Sequence, residues 1–258
     1  AALTYAQNLA VLPVSLFGMA VSASELPAMS SLRGEGDAVA SAMRARLESG
    51  LRRIAFWIVP SAVAFLAIGD VVAGVVYQNG RFDRATALWV WLILAGSAIG
   101  LLATTLGRLY SSSLFALRDT KTPFRFALVR VSLTVALGYL FALPLRAALG
   151  LPPQWGAAGI TTASSLAGWV EFVLLRDAVR RRVGRAGIPA RRMAILWTAA
   201  GLSAAAAWVT RLVVPVSAPL LGGAVIIGVF GVVYFAVTSL FGVEDAAGIA
   251  RRFRLWRW

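Results

Sequence analysis

Cysteine and histidine are both absent from this chain of 258 residues, and lysine occurs only once, at Lys121. The lack of cysteine excludes disulfides, thiol nucleophiles and iron–sulfur clusters. The lack of histidine removes the most common metal ligand and the most common general base. These absences disfavour most classes of enzyme, so we expect a protein that is not an enzyme and that has no catalytic residue, metal or cofactor.

Apolar sequence dominates instead. Hydrophobic residues make up 59% of the chain, and the mean hydropathy is +0.78. Charged residues make up 14%, against about 25% in an average soluble domain. A helix needs about 20 apolar residues to cross a bilayer, and seven segments meet this requirement. They predict an all-α bundle of transmembrane helices over residues 3–29, 54–77, 85–117, 124–149, 156–175, 193–214 and 218–241.

The basic residues alternate from loop to loop. Twenty of the 25 lie near the loops after segments one, three and five or in the C-terminal tail, and four lie near the other loops. This alternation follows the positive-inside rule and predicts an external N-terminus and a cytoplasmic C-terminus. A net charge of +14 can also indicate nucleic-acid binding, but nucleic-acid-binding domains are polar chains with a basic face. We therefore interpret the basic loops as topology signals and anchors for lipid head groups, and we expect no nucleic acid.

Polar residues recur at helical spacing on three of the predicted helices. Polar groups are costly in hydrocarbon, so such faces usually point into the bundle or into a hydrated cavity. An alternative for the hydroxyl residues and glycines is that small side chains let helices pack closely. The residues are Asn8, Ser15, Gly18, Ser22 and Glu25; Thr104, Arg108, Ser111 and Ser112; and Thr161, Ser164, Ser165, Gly168 and Glu171.

Arg108 needs its own explanation, because it lies inside the third predicted helix. Glu25 and Glu171 lie at a similar predicted depth, so we expect Arg108 to pair with one of them. Both a structural ion pair and a role in substrate binding remain open. No catalytic motif emerges: residues 32–37 contain glycine but lack the spacing of a phosphate-binding loop, and Glu244 with Asp245 fits helix capping or solvation.

Three stretches carry a more specific signal. The first covers YAQNL at residues 5–9, FGMA at 17–20 and LPAMS at 26–30, and the second is VVYQNGRFD at 75–83. The third and most specific is FALRDTKTP at 115–123. Together they resemble the MurJ/MviN family of lipid II flippases, in the multidrug/oligosaccharidyl-lipid/polysaccharide exporter superfamily. The resemblance is closest over residues 1 to about 130 and extends beyond them in the order and lengths of the helices.

This resemblance implies helices 8 to 14 of a 14-helix protein of the bacterial inner membrane. Residues 1–183 would form five helices of the C-terminal lobe. Residues 184–258 would form two further helices, which line a groove for the lipid tail, and a basic cytoplasmic C-terminus. The N-terminal lobe and helix 7 would be missing; we expect part of a longer chain without a signal peptide. The implied function is alternating-access translocation of lipid II, or a similar polyprenyl-diphosphate-linked saccharide, for peptidoglycan synthesis, the cell wall and cell shape.

Two groups of site residues follow from the polar faces and the resemblance. The sequence departs from the family at Asn8, where arginine is frequent, at Glu171, where asparagine is common, and at Glu25, where an aliphatic residue is common. The expected cavity residues are Asn8, Ser15, Ser22, Glu25, Thr104, Arg108, Ser111 and Glu171, and the family's motif loop is Asp119, Thr120, Lys121, Thr122 and Pro123.

Three alternatives remain. A drug or polysaccharide exporter of the same superfamily is disfavoured by the motif loop at residues 119–123. A scaffold in cell-wall assembly that does not transport needs no arginine inside the membrane, so Arg108 counts against it. A membrane enzyme is disfavoured by the absence of histidine, cysteine and an aspartate-rich motif.

Overall fold

The computed structural model describes residues 2–31, 37–77, 84–213 and 219–246. Seven helices in this part of the chain are long and apolar enough to cross a membrane, which confirms the predicted all-α fold. The predicted turn at 78–83 lies outside the described residues, as do Arg33 and the basic tail at 251–257. The helices are α1 (Ala2–Ser30), α2 (Asp37–Tyr77), α3 (Arg84–Ala116), α4 (Lys121–Ala148), α5 (Trp155–Val183), α6 (Ala190–Val213) and α7 (Pro219–Leu240).

Two helices extend further than their apolar runs predict. Helix α2 begins at Asp37 instead of Ile54, and α5 continues to Val183 instead of ending at Leu175. A hydropathy window ends at the first cluster of charges, but arginine is a good helix former and the helix continues beyond it. The two extensions hold each other, because Arg44 donates through Nε and Nη2 to the Val183 carbonyl at 2.9 and 2.7 Å.

Helix α3 occupies the centre of the bundle. It packs along α1, α2 and α5, while α6 and α7 pack on each other and on α2. Its approach to α5 is close: a Cβ added to Gly100 would lie 2.6 Å from the Ser165 Cα. The Ser165 hydroxyl donates to the Gly96 carbonyl at 2.7 Å, and Thr161 donates to the Ile93 carbonyl at 3.0 Å. In this part of α5, the polar face therefore serves close helix packing.

Helix α4 lies at the edge of the bundle. It packs mainly against α5, and only 6% of its most apolar stretch of 18 residues is buried. Its apolar side chains, such as Phe124, Val135 and Tyr139, are exposed, and so is Leu16 on α1. The faces of α1 and α4 are thus available to lipid or to further protein, and a cavity opens between these helices, α3 and α5.

Helix α2 is kinked at Ile68, whose φ of −134° and ψ of 25° are not helical. A kink frees carbonyl groups from the helical ladder, and in a membrane-spanning helix such carbonyls need another donor. Two tryptophans provide it: the Trp91 indole N–H donates to the Leu66 carbonyl and the Trp208 indole N–H to the Ala67 carbonyl, both at 3.1 Å. The kink is therefore fixed from two sides, by α3 and by α6.

Candidate functional site

A cavity of about 330 Å³ lies between α1, α3, α4 and α5. It is in the half of the bundle where α1 ends and α4 begins. Met19, Phe115 and Leu175 contribute apolar surface to it. Its polar lining consists of Ser22, Thr104, Arg108, Ser111, Ser112, Arg130 and Glu171.

Five of the eight expected cavity residues line this cavity, namely Ser22, Thr104, Arg108, Ser111 and Glu171. Their role in binding stays a prediction. The other three do not line it. Asn8 is exposed elsewhere on α1, the Ser15 hydroxyl donates to the carbonyl of Leu12 at 3.1 Å, and Glu25 is buried.

A change in helical register separates Asn8 from Ser22 on α1. Pro13 cannot donate a backbone hydrogen bond, and the chain from Val14 to Met19 follows it as a π-helical turn. A π turn contains more residues than an α turn, so positions before and after it no longer share the face that regular spacing predicts. Asn8 precedes this turn and Ser22 follows it.

The expected pairing of Arg108 with Glu25 or Glu171 is wrong. Glu171 Oε2 accepts a hydrogen bond from Arg130 Nη1 at 3.0 Å, and Glu25 lies 4.0 Å from Arg46. Arg108 is exposed and makes no ion pair with any other described residue. Within the described part of the chain, its guanidinium is therefore an unpaired cation at the cavity.

Arg130 is the cavity residue that the sequence interpretation missed, because it was counted among the loop charges. Helix α4 begins at Lys121, so Arg130 lies well inside the helix and faces α5. Asp119 and Pro123 are signals for a helix start, and they place Arg130 more than two turns into α4. Two basic residues of the cavity, Arg108 and Arg130, therefore lie well inside predicted spans.

The hydroxyl groups of the cavity differ in what they offer a ligand. Thr104 donates to the Gly100 carbonyl at 2.9 Å, and Ser112 donates to the Arg108 carbonyl at 3.0 Å. The Ser22 hydroxyl is buried and has no hydrogen-bond partner among the described residues. With two guanidinium groups and one carboxylate, the cavity carries a net positive charge. Guanidinium groups bind phosphate and carboxylate through two parallel hydrogen bonds, so an anion is the ligand that these groups favour.

The motif loop forms the corner between α3 and α4. Arg118 has a positive φ of 59°, and Asp119 Oδ1 then accepts a hydrogen bond from the Thr122 backbone N–H at 3.0 Å. Asp119 Oδ2 lies 2.5 Å from Arg182 at the end of α5. Hydrogen bonds from Thr122, and then the Arg182 guanidinium, lower the pKa of Asp119 from 3.8 to about 2. The loop therefore joins three helices at the end of the bundle near the cavity.

Seven helices that are long and apolar enough to cross a membrane define the class: a multi-pass membrane protein, with a charged cavity between four of these helices. The model of one family, described as Lipid II flippase MurJ, matches residues 1–241. The chain therefore belongs to the MurJ family, which confirms the resemblance drawn from the motifs.

Known relatives agree with this assignment. A probable lipid II flippase MurJ from Rhizobium meliloti (strain 1021) is 32% identical over 256 residues, which cover 95% of this chain and 45% of the relative. The lipid II flippase MurJ of Burkholderia cenocepacia is 28% identical over 180 residues, 70% of this chain and 33% of that protein. The chain spans about half the length of the curated relatives it matches, or less.

A solved structure supports the fold. The lipid II flippase MurJ in an inward closed conformation superposes with a TM-score of 0.74. The match covers 93% of this chain and 46% of that one, at 22% sequence identity. At 22% sequence identity, this structural similarity shows that the two proteins share the arrangement of their helices.

Proposed function

We propose that this chain is the C-terminal part of a flippase that moves lipid II, or a similar polyprenyl-diphosphate-linked saccharide, across the bacterial cytoplasmic membrane. The relatives that it matches bear the name lipid II flippase. The observation that carries the proposal is Arg108, whose guanidinium lines the cavity without an ion-pair partner among the described residues, on a helix long and apolar enough to cross a membrane. A charge on such a helix is costly, and it is retained where it serves a ligand or a pathway.

The mechanism divides the substrate between two environments. The diphosphate binds in the cavity, where Arg108 attracts its negative charge, and the sugars extend beyond it into the space between the two lobes of the full-length protein. The polyprenyl tail stays in lipid beside α6 and α7, whose outer side chains, such as Val209 and Val232, are apolar and exposed. We propose that residues 1–183 form the transport lobe and residues 184–258 the tail-binding part, consistent with the packing of α6 and α7 on α2.

A second lobe completes the cavity in this mechanism. We propose that the exposed apolar faces of α1 and α4 contact it, since the chain accounts for 45% of its relative's length. Alternating access then proceeds as a rocking of the two lobes around the head group. In this proposal the protein is a transporter that forms no covalent intermediate. It lies in the inner membrane, and its C-terminus is cytoplasmic.

Arg108→Ala in the natural full-length protein tests this proposal. We expect translocation of lipid II in proteoliposomes to fall at least about tenfold while membrane expression stays unchanged, because one charge-assisted phosphate contact contributes roughly 1.5–3 kcal/mol. Arg108→Lys keeps the charge but loses the paired hydrogen bonds, so it retains part of the activity. The control is Arg125→Ala, which removes an exposed arginine that does not line the cavity. Normal translocation by Arg108→Ala would contradict the proposal.

A further inference from the structure

The Arg130–Glu171 pair places a carboxylate inside a cavity that otherwise suits an anion. Arg130 Nη1 and Glu171 Oε2 are 3.0 Å apart, and their side chains are 35% and 15% exposed. The two residues come from neighbouring helices, α4 and α5, and both line the cavity with Arg108. Glu171 thus neutralises one of two cations that a bound anion would need.

The chemistry of a diphosphate ester makes this arrangement informative. Each phosphorus of such an ester carries an ionised oxygen, so two guanidinium groups match it better than one. Arg130 is paired with Glu171, whereas Arg108 has no ion-pair partner among the residues that the structure describes. The cavity, about 330 Å³, is at the lower limit of ligand pockets, which span about 300–1,000 Å³. It therefore has room for the diphosphate but not for a complete saccharide head group.

We propose that Glu171 competes with the diphosphate for Arg130, so that substrate binding and release are an exchange of anions on one arginine. This inference rests on the proposed function and deepens it. The diphosphate first contacts Arg108 and then displaces Glu171 from Arg130. On release, Glu171 returns to Arg130 and helps to expel the diphosphate.

Two observations support an exchange over a fixed ion pair. A pair whose arginine is more than a third exposed is weakly held, because water screens it. The buried hydroxyl of Ser22 has no partner in the described part of the chain, and it lines the same cavity. An incoming phosphate oxygen would satisfy it. A transport site must also bind strongly enough to load and weakly enough to unload, and two permanently free arginines would hinder unloading.

Binding of inorganic pyrophosphate to the purified full-length protein tests the competition. Glu171→Gln frees Arg130 without changing the size of the side chain, so we expect pyrophosphate to bind about fivefold more tightly, the factor that corresponds to an ion pair of this exposure. Orthophosphate, which is shorter than pyrophosphate and carries less charge, should gain less. Arg130→Gln should weaken pyrophosphate binding, and adding Glu171→Gln to it should have no further effect, because the competitor then has no arginine to occupy.

Asp70→Asn is the matched control. It breaks the pair between Asp70 Oδ2 and Arg211 Nη2, which are 2.8 Å apart on α2 and α6, away from the cavity. It should leave pyrophosphate binding unchanged. Glu171→Asp is a second variant that keeps a carboxylate but shortens its reach, and it should tighten binding less than Glu171→Gln. If neither Glu171 variant tightens pyrophosphate binding, the competition does not occur.

The transport assay separates this inference from the proposed function. We expect Glu171→Gln to translocate lipid II more slowly than the parent protein, since a diphosphate that binds more tightly leaves more slowly. Normal lipid II transport together with unchanged pyrophosphate affinity in Glu171→Gln would overturn the competition alone. Tighter pyrophosphate binding in the variant, with no lipid II transport by the parent protein, would overturn the proposed function and leave an anion-exchange site.

Discussion

The contact between α3 and α5 at Gly100 allows a quantitative prediction. These helices carry Arg108 and Glu171, so their separation sets the width of the cavity. A Cβ at position 100 would lie 2.6 Å from the Ser165 Cα and 2.7 Å from its Cβ, far inside van der Waals contact. The obstructing atoms include backbone, so the side chain of Ser165 cannot relieve the clash by rotating.

Gly100→Ala should therefore push the two helices apart. Overpacking of this kind costs about 1–3 kcal/mol, and separation also lengthens the Ser165 hydrogen bond to the Gly96 carbonyl, which contributes about 0.5–1.5 kcal/mol. The higher helix propensity of alanine offsets about 0.8–1.0 kcal/mol. We expect a net destabilisation of about 0.5–3.5 kcal/mol, which a lower midpoint of thermal unfolding in detergent would show.

Gly201→Ala is the control, because a Cβ at this position on α6 meets no atom within 4 Å. The propensity effect then acts alone, and the midpoint should stay constant or rise. If Gly100→Ala and Gly201→Ala unfolded at the same temperature, α3 and α5 would not pack as closely as described. That result would also contradict the interpretation that the hydroxyl groups and glycines of α3 and α5 allow these two helices to pack closely.

The seven spans could be predicted from the sequence because each is an apolar run that a bilayer requires, whatever the helices contact. The ends of α2 and α5 could not be predicted in this way. They depend on a contact between Arg44 and the Val183 carbonyl, which are distant in sequence. The same limit applies to the kink at Ile68, since its two supporting tryptophans come from other helices.

The cavity was predicted in part, for reasons that lie in local geometry. Residues on α3 keep regular α-helical spacing, so Thr104, Arg108 and Ser111 share a face as expected. On α1 the π turn breaks this regularity, and Asn8 leaves the face of Ser22. Which arginine pairs with Glu171 depends on the arrangement of α4 beside α5, and no spacing within one helix contains that information.

Three further predictions concern the bundle as a whole. Trp208→Phe removes the indole donor at the α2 kink and should lower the free energy of unfolding by about 0.5–1.5 kcal/mol. Trp197→Phe, at an exposed position on the same helix, is the control and should leave the free energy of unfolding unchanged. Single cysteines, introduced into a chain that has none, test the orientation by their reaction with a thiol reagent that does not cross the membrane. Cysteines in 31–53, 118–122 and 176–192 should react from the cytoplasm, and those near Gly80, Pro152 and Pro215 from outside. The reverse pattern would contradict the orientation. Asp119 should make stability depend on pH, because its pKa falls from 3.8 to about 2 on folding. A carboxylate with a lowered pKa stabilises the fold fully above its unfolded pKa and loses this effect as the pH falls through the folded pKa. The unfolding midpoint of the parent protein should therefore exceed that of Asp119→Asn at pH 6, and the difference should shrink between about pH 4 and pH 2. A difference that persists unchanged at pH 2 would show that the charge of Asp119 does not hold the corner between α3, α4 and α5.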